Sequence, residues 1–192
     1  MIYNTTCLIW QVFTNFAPMK RIILITGGQR SGKSVYAEKM ALSLSDAPVY
    51  IATAHIWDDE FRHRVDMHKK RRGPQWENIE EERELGKISI YNKVALIDCL
   101  TLWCTNFYFD ESENCKNPDI DKILERVKEE FDKFTKQEAT FIFVTNEIGL
   151  GGVSDNPVQR HFTDLLGWVN QYVASKADEV YLMTCGIPVK IK

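Results

Sequence analysis

The chain has 192 residues, 44% of them hydrophobic and 27% charged, with 27 acids against 24 bases for a formal net charge of −3. That make-up suits one globular domain with a core large enough to need no disulfide or metal, and excludes a disordered tail, a collagen-like rod and a polytopic membrane protein. Without a global basic excess the chain lacks the electrostatic footprint of a nucleic-acid binder, so no nucleic-acid partner is expected.

The elements are expected as follows. Residues 1–18 are apolar but broken by Asn4, Thr5, Thr6, Gln11, Thr14 and Asn15. They lack a basic start and a small-residue cleavage site, and are too polar to span a membrane. They read as an extension ahead of a start at Met19, with residues 19–192 as one catalytic domain. Ile22–Thr26 is a β-branched run that reads as a buried parallel strand. A Gly-rich turn and a helix over 34–44 follow, then a second strand over 48–53. Asp58–Arg72 reads as a charged helix with Glu60/Arg64 and Asp66/Lys70 four apart. Val94–Asp98 is a third strand. Asn117 and Pro118 are expected to open a helix whose apolar stripe is Ile120, Ile123, Leu124, Val127, Phe131 and Phe134. Phe141–Thr145 is a fourth strand. A Gly-rich loop precedes a helix carrying Phe162, Leu165, Leu166, Val169 and Val173 on one face. Strands over 179–183 and 188–192, separated by Thr184–Ile187, close the chain as a hairpin. The alternation predicts an α/β fold: a mostly parallel sheet with helices on both faces and a C-terminal antiparallel hairpin. Ligands of such sheets sit at the carboxyl ends of the strands.

The strongest chemical signal is Gly27-Gly28-Gln29-Arg30-Ser31-Gly32-Lys33-Ser34, which fits G-x-x-x-x-G-K-[ST] between a strand and a helix. The glycines let backbone N–H groups turn toward phosphate oxygens, and the helix N-terminus adds partial positive charge. Lys33 is expected at the β- and γ-phosphates and Ser34 at Mg²⁺. Asp98, at the carboxyl edge of a neighbouring strand, is the candidate second metal-positioning residue. These residues imply a nucleoside triphosphate with Mg²⁺, but not what is done with it.

The window Arg62–Arg72 holds six Lys or Arg and one acid, Asp66. Without it the chain carries 18 bases and 26 acids, so a local positive patch stands on an otherwise acidic protein. Such a patch suits a small anion. On a helix His68 shares a face with Phe61, Val65 and Arg72. Neighbouring cations disfavour a charged imidazole, and a neutral imidazole is a nucleophile. From spacing alone, however, a histidine among lysines and arginines reads as part of a solvated face. The acidic run Glu77, Glu80, Glu81, Glu82 and Glu84 reads as surface balancing the island. The five cysteines, Cys7, Cys99, Cys104, Cys115 and Cys185, are odd in number with no C-x-x-C pair, which points to a reducing, cytoplasmic setting rather than disulfides or structural zinc.

Several segments occur in order: GGQRSGKS, YIATAHIWDDE, Arg64 to His68, Trp76 with Glu80, LIDCLTLWCTN, VTNEIGLGGV, RHF-x-D-x-x-G-x-x-NQ and the GIPVKIK end. From about residue 21 onward this set resembles the bifunctional adenosylcobinamide kinase/adenosylcobinamide-phosphate guanylyltransferase family of cobalamin biosynthesis. The resemblance implies a RecA-like P-loop NTPase fold, a homotrimer and two reactions. ATP or GTP phosphorylates the aminopropanol hydroxyl of adenosylcobinamide. GTP then guanylylates a histidine, here His68, and GMP passes to adenosylcobinamide phosphate with release of pyrophosphate. The nucleotide contacts it implies are Gly27 to Ser34, Ile56, Trp57 and Asp58, Lys69, Lys70, Arg71 and Arg72, Glu80 and Asp98. Asn146 and Glu147, at a strand end, are candidates for a substrate loop. The chain departs from the family where relatives carry His-His, here Met67-His68, and at Ser154 and Thr163. Two rival readings stand beside this one. A simple P-loop small-molecule kinase would form no protein–nucleotide adduct, and a nucleotide-dependent regulatory module would show no corrinoid turnover.

Overall fold

The computed structural model describes residues 20–56, 58, 59, 62, 63, 69, 72–112 and 118–192. The expected extension 1–18, the start at Met19, Cys7, Trp57, Phe61, Arg64–His68, Lys70, Arg71, Cys115 and Asn117 lie outside them. The elements in chain order are β1 (Arg21–Gly27), α1 (Lys33–Leu44), β2 (Val49–Ala52), β3 (Glu77–Glu80), β4 (Val94–Asp98), α2 (Leu100–Ser112), α3 (Ile120–Phe134), β5 (Thr140–Val144), α4 (Pro157–Lys176), β6 (Glu179–Thr184) and β7 (Ile187–Lys190). Of the expected charged helix, Asp59, Arg62, His63 and Lys69 are helical among the described residues.

One seven-stranded sheet runs β3-β2-β4-β5-β1-β6-β7. Every neighbouring pair is parallel except β6–β7. Successive side chains of a strand point to opposite faces, and β1 divides accordingly. Ile22 and Leu24 join a core with α2, α3 and α4. Ile23 and Ile25 join a smaller one with Ala37 and Ala41 of α1, Tyr50 and Trp76. The larger core is aromatic: Phe131 lies 5.1 Å from Phe143, and Phe134 lies 5.1 Å from Phe141. Such pairs add about 0.5–1.5 kcal/mol each beyond the area they bury.

The expected stripe of α3 is the face that is covered, with Ile123, Val127, Phe131 and Phe134 buried. Its cap differs from the expected one. Asp119, not Asn117, accepts from the Lys122 amide, and the helix starts at Ile120. α4 begins as its sequence suggests, with Asn156 accepting from the Val158 and Gln159 amides and Pro157 in its first turn. The hairpin turn is tighter than the expected four residues. Cys185 and Gly186 alone make it, with φ of 53° and 80°, the paired positive φ of a two-residue turn that follows strand twist. Cys99, Cys104 and Cys185 are free thiols.

Candidate active site

β1 ends at Gly27, where the backbone has φ 150° and an added Cβ would stand 2.5 Å from the Met183 carbonyl oxygen. Only glycine lets the loop leave the sheet this close to β6. The loop then folds on itself through Ser31 N–H to the Gly28 carbonyl at 3.2 Å. Arg30 and Gly32 take φ of 58° and 95°. The hairpin turn braces it from outside, since Gly186 N–H donates to the Ser31 carbonyl at 3.0 Å. Gly32 approaches the same turn so closely that a Cβ would meet Gly186 Cα at 3.2 Å. The result is a main-chain cradle at the N-terminus of α1.

Lys33 opens α1 and is 7% exposed. Its Nζ donates to the Gly28 carbonyl at 2.6 Å, so the ammonium lies across the mouth of the cradle. Burial pushes its pKa down; the nearby Cys99 and Asp98 push the other way. Cys99 is itself pushed up to about 12, by burial first and the Asp98 charge second. Near neutral pH, therefore, the Cys99 thiol is not a charged partner of Lys33. Ser34 follows on the first turn of α1, half-buried.

Asp98 ends β4. β4 is not the immediate neighbour of β1 as expected, because β5 is inserted and pairs with both: Thr140 stands opposite Arg21 on one side and Val94 on the other. β5 therefore delivers Asn146 and Glu147 between the cradle and Asp98. Glu147 N–H donates to the Gly27 carbonyl at 3.1 Å. Asn146 N–H donates to Thr101 Oγ1 at 2.9 Å, and its carbonyl accepts from Asn170 Nδ2 at 3.1 Å. Three backbone groups thus hold this corner to β1, α2 and α4.

Past β2 the chain is fixed from beneath. Thr53 Oγ1 donates to the Cys99 carbonyl and accepts from the Cys99 amide, both at 2.9 Å. Buried Asn106 donates to the Thr53 and Glu82 carbonyls at 2.7 and 2.8 Å. This support carries Ile56, half-buried, and Asp58, exposed, to the carboxyl edge of the sheet. His55, one residue earlier, pairs with Glu82 at 2.9 Å.

In the basic window Lys69 and Arg72 both meet β3, while Arg62 lies 3.8 Å from Asp59. Lys69 Nζ donates to Glu80 Oε1 at 2.6 Å, and Arg72 Nε donates to Asn78 Oδ1 at 3.1 Å. The Arg72 guanidinium carbon lies 3.5 Å from the centroid of the Tyr50 ring, and the Tyr50 hydroxyl donates to Asp98 Oδ2 at 2.6 Å. Lys70, Arg71, Trp57 and His68 lie outside the described residues, so the structure brings together Gly27–Ser34, Asp98, Asn146, Glu147, Lys69, Arg72 and Glu80 without them. The acidic run is surface, as expected, but engaged. Glu77 pairs with Lys93 and Glu84 with Lys87, while Glu81 accepts from the Arg83 and Glu84 amides. Tyr50, Asn78 and Thr101 are the polar contacts the sequence reading missed. Among the described residues no group of three or more His, Cys, Asp or Glu gathers as a metal cage, and no helix is long and apolar enough to cross a membrane.

A glycine-rich cradle between strand and helix, a carboxylate two strands away and a third strand inserted between them define a P-loop NTPase. The ATPase of a bacterial type III secretion system has this fold. It superposes with a TM-score of 0.56 at 13% identity, over 86% of this chain and 51% of that one. At the level of sequence, the family model described as cobinamide kinase / cobinamide phosphate guanyltransferase matches residues 23–191, and the chain belongs to that family. It is 37% identical to the bifunctional adenosylcobalamin biosynthesis protein CobU of Escherichia coli over 182 residues, covering 89% of this chain and 99% of that one. It is 34% identical to the bifunctional adenosylcobalamin biosynthesis protein CobP of Pseudomonas aeruginosa over 173 residues, 88% of this chain and 96% of that one. The chain is thus a nucleotide-using transferase of cobalamin biosynthesis.

Proposed function

We propose that this chain carries out two consecutive transfers, using the cradle for both nucleotides. In the first, the aminopropanol hydroxyl of adenosylcobinamide attacks the γ-phosphorus of ATP or GTP. The bond to the β,γ-bridging oxygen breaks, and a nucleoside diphosphate leaves. In the second, a His68 ring nitrogen attacks the α-phosphorus of GTP and pyrophosphate leaves. A phosphate oxygen of adenosylcobinamide phosphate then displaces the histidine, giving adenosyl-GDP-cobinamide and the free imidazole.

The observation that carries this reading is the buried Lys33 ammonium. It is held across a cradle of main-chain groups, with Asp98 as its charged counterpart. An ammonium bonded within its own loop, to the Gly28 carbonyl and at 3.5 Å to Ser31 Oγ, can exchange those oxygens for phosphate oxygens without being newly desolvated. The Gly27–Ser34 amides would hold the β- and γ-phosphates. Lys69, Lys70, Arg71 and Arg72, with Glu80, Ile56, Trp57 and Asp58, would hold the remainder of the nucleotide. Asn146 and Glu147 would face the corrinoid arm.

Ser34 and Asp98 offer one hydroxyl and one carboxylate, which fits Mg²⁺, since that ion keeps most of its waters and takes few protein ligands beside phosphate. When bound it neutralises charge on the β- and γ-phosphate oxygens. We also carry forward a homotrimer and a cytoplasmic setting from the family resemblance; light scattering on the purified chain tests the first.

The decisive experiment is intact-protein mass spectrometry after incubation with GTP and Mg²⁺, wild type beside His68→Ala. An acid-labile adduct of GMP size in the wild type alone is expected. If nucleotide binds but no adduct forms, the guanylyl-histidine step is wrong, and a plain kinase or a regulatory module remains for a corrinoid phosphorylation assay to separate.

A further inference from the structure

We propose that Tyr50 is the positioning residue that joins the two ends of the nucleotide site, its hydroxyl holding Asp98 and its ring seating Arg72. The inference rests on the roles given above to Asp98 and Arg72. Tyr50 lies on β2 and is 4% exposed. Its hydroxyl donates to Asp98 Oδ2 at 2.6 Å. This bond fixes the rotation of the carboxylate about its own axis.

The ring does the second half. Arg72 stacks its guanidinium carbon 3.5 Å from the ring centroid, well inside the range where a cation is attracted to an aromatic face. Trp76 meets the same ring edge-on at 5.9 Å and 84°, so the ring cannot turn away. Asn78 takes the Arg72 Nε. Arg72 Nη1 is buried with no hydrogen-bond partner among the described residues. A buried donor left unpaired is costly; phosphate is the acceptor that a guanidinium fork suits best. Tyr50 therefore keeps a phosphate-seeking donor and a metal-positioning acid in one fixed relation. An ordinary core aromatic would need neither the hydroxyl nor the guanidinium on its face.

The test uses the full chain with a non-hydrolysable GTP analogue, titrated by calorimetry over a range of Mg²⁺ concentrations. Tyr50→Phe keeps the ring and removes the hydroxyl. We expect the Mg²⁺ concentration for half-maximal binding to rise ~10-fold, the effect of losing an outer partner of a metal-positioning group. Tyr50→Phe in an Asp98→Asn background should add nothing further, because both act through one contact. Tyr50→Leu also removes the ring, and should raise the GTP concentration for half-maximal guanylyl adduct by a further ~5-fold. Thermal unfolding of each variant checks that it is folded. Should Tyr50→Leu not fold, the Tyr50→Phe and Asp98→Asn cycle decides alone. The inference is overturned if Tyr50→Phe binds with wild-type Mg²⁺ dependence while Asp98→Asn is shifted. If Asp98→Asn is unshifted too, the role given to Asp98 is what has failed.

Discussion

The two ends of the site are held by different means. The cradle at Gly27–Ser34 is set by the main chain, through Ser31 to Gly28 within the loop and Gly186 to Ser31 from the hairpin. The opposite end, around Lys69 and Glu80, is set by side chains that are 45% and 69% exposed. Main-chain geometry is costly to alter and cannot drift. Exposed ion pairs contribute little and exchange readily. An enzyme that attacks the γ-phosphate in one reaction and the α-phosphate in the other has reason to combine them: a seat fixed by main chain and an end fixed by exchangeable side-chain pairs.

The sharpest way to break this contrast is at Lys33. Lys33→Met removes the one ammonium inside the rigid end. Phosphoryl transfer should fall by a factor of 10²–10³, or ~2.7–4 kcal/mol, as when one preorganised stabilising group is lost. Thermal stability should hold or rise, because for this ammonium the cost of burial outweighs its attraction to Asp98. Steady-state kinetics beside a melting curve test both; an enzyme that keeps its rate would put the phosphates elsewhere. Next is Gly27→Ala, which places a Cβ 2.5 Å from the Met183 carbonyl oxygen at φ 150°. A loss of ~3 kcal/mol in denaturant unfolding is expected from the strained backbone and the overpacking together. An unchanged midpoint would mean the cradle is no more rigid than the arm.

The rigid end is also the end that was legible from the sequence, and for the same reason. A cradle that needs glycine at a positive φ and a lysine at the helix start writes those requirements into adjacent residues. Asp98 was legible as the acid ending an apolar strand, but not that β5 stands between it and β1, since strand order leaves no local mark. β3 was missed because Glu-Asn-Ile-Glu has one apolar residue and pairs on one side only. α2 was missed because it follows β4 after a single residue, and Leu100, Trp103, Cys104, Phe107 and Tyr108 are all buried, with no capping residue to announce it. In the turn, Cys185 has φ 53°, where a cysteine gives no signal. Tyr50 reads as one more apolar strand residue. Its hydroxyl matters only because Asp98 arrives from a strand 48 residues away.

A third mode of attachment lies at the start of β6. Glu179 accepts from the Tyr181 hydroxyl at 2.6 Å, Lys190 Nζ at 2.9 Å and Arg21 Nε at 2.9 Å. These donors, Tyr181 first, hold its carboxyl down from 4.5 to about 2. A depressed carboxylate contributes stability that is complete above about 4.5 and is lost as pH falls toward about 2. Glu179→Gln should therefore be less stable than wild type by ~1 kcal/mol at neutral pH, since two of the donors are substantially exposed. The gap should close as pH is lowered through that window. A gap that persists to pH 2 would show that the cluster acts by packing rather than by charge.

The smallest effect on stability belongs to the arm, and it separates stability from function most cleanly. Lys69 and Glu80 sit 2.6 Å apart on the surface, so Glu80→Gln should change the unfolding free energy by less than ~0.5 kcal/mol, and less still in high salt. Lys69 is released by the change, however, and among the described residues the side-chain attachment of Arg72 to Asn78 is the one that remains to β3. Guanylyl adduct formation should slow by more than phosphoryl transfer does, because only the first depends on where this arm stands. Single-turnover rates of the two steps in Glu80→Gln decide the matter. Equal slowing would place Glu80 in the shared cradle, and the division between a fixed seat and a loose arm would have to be abandoned.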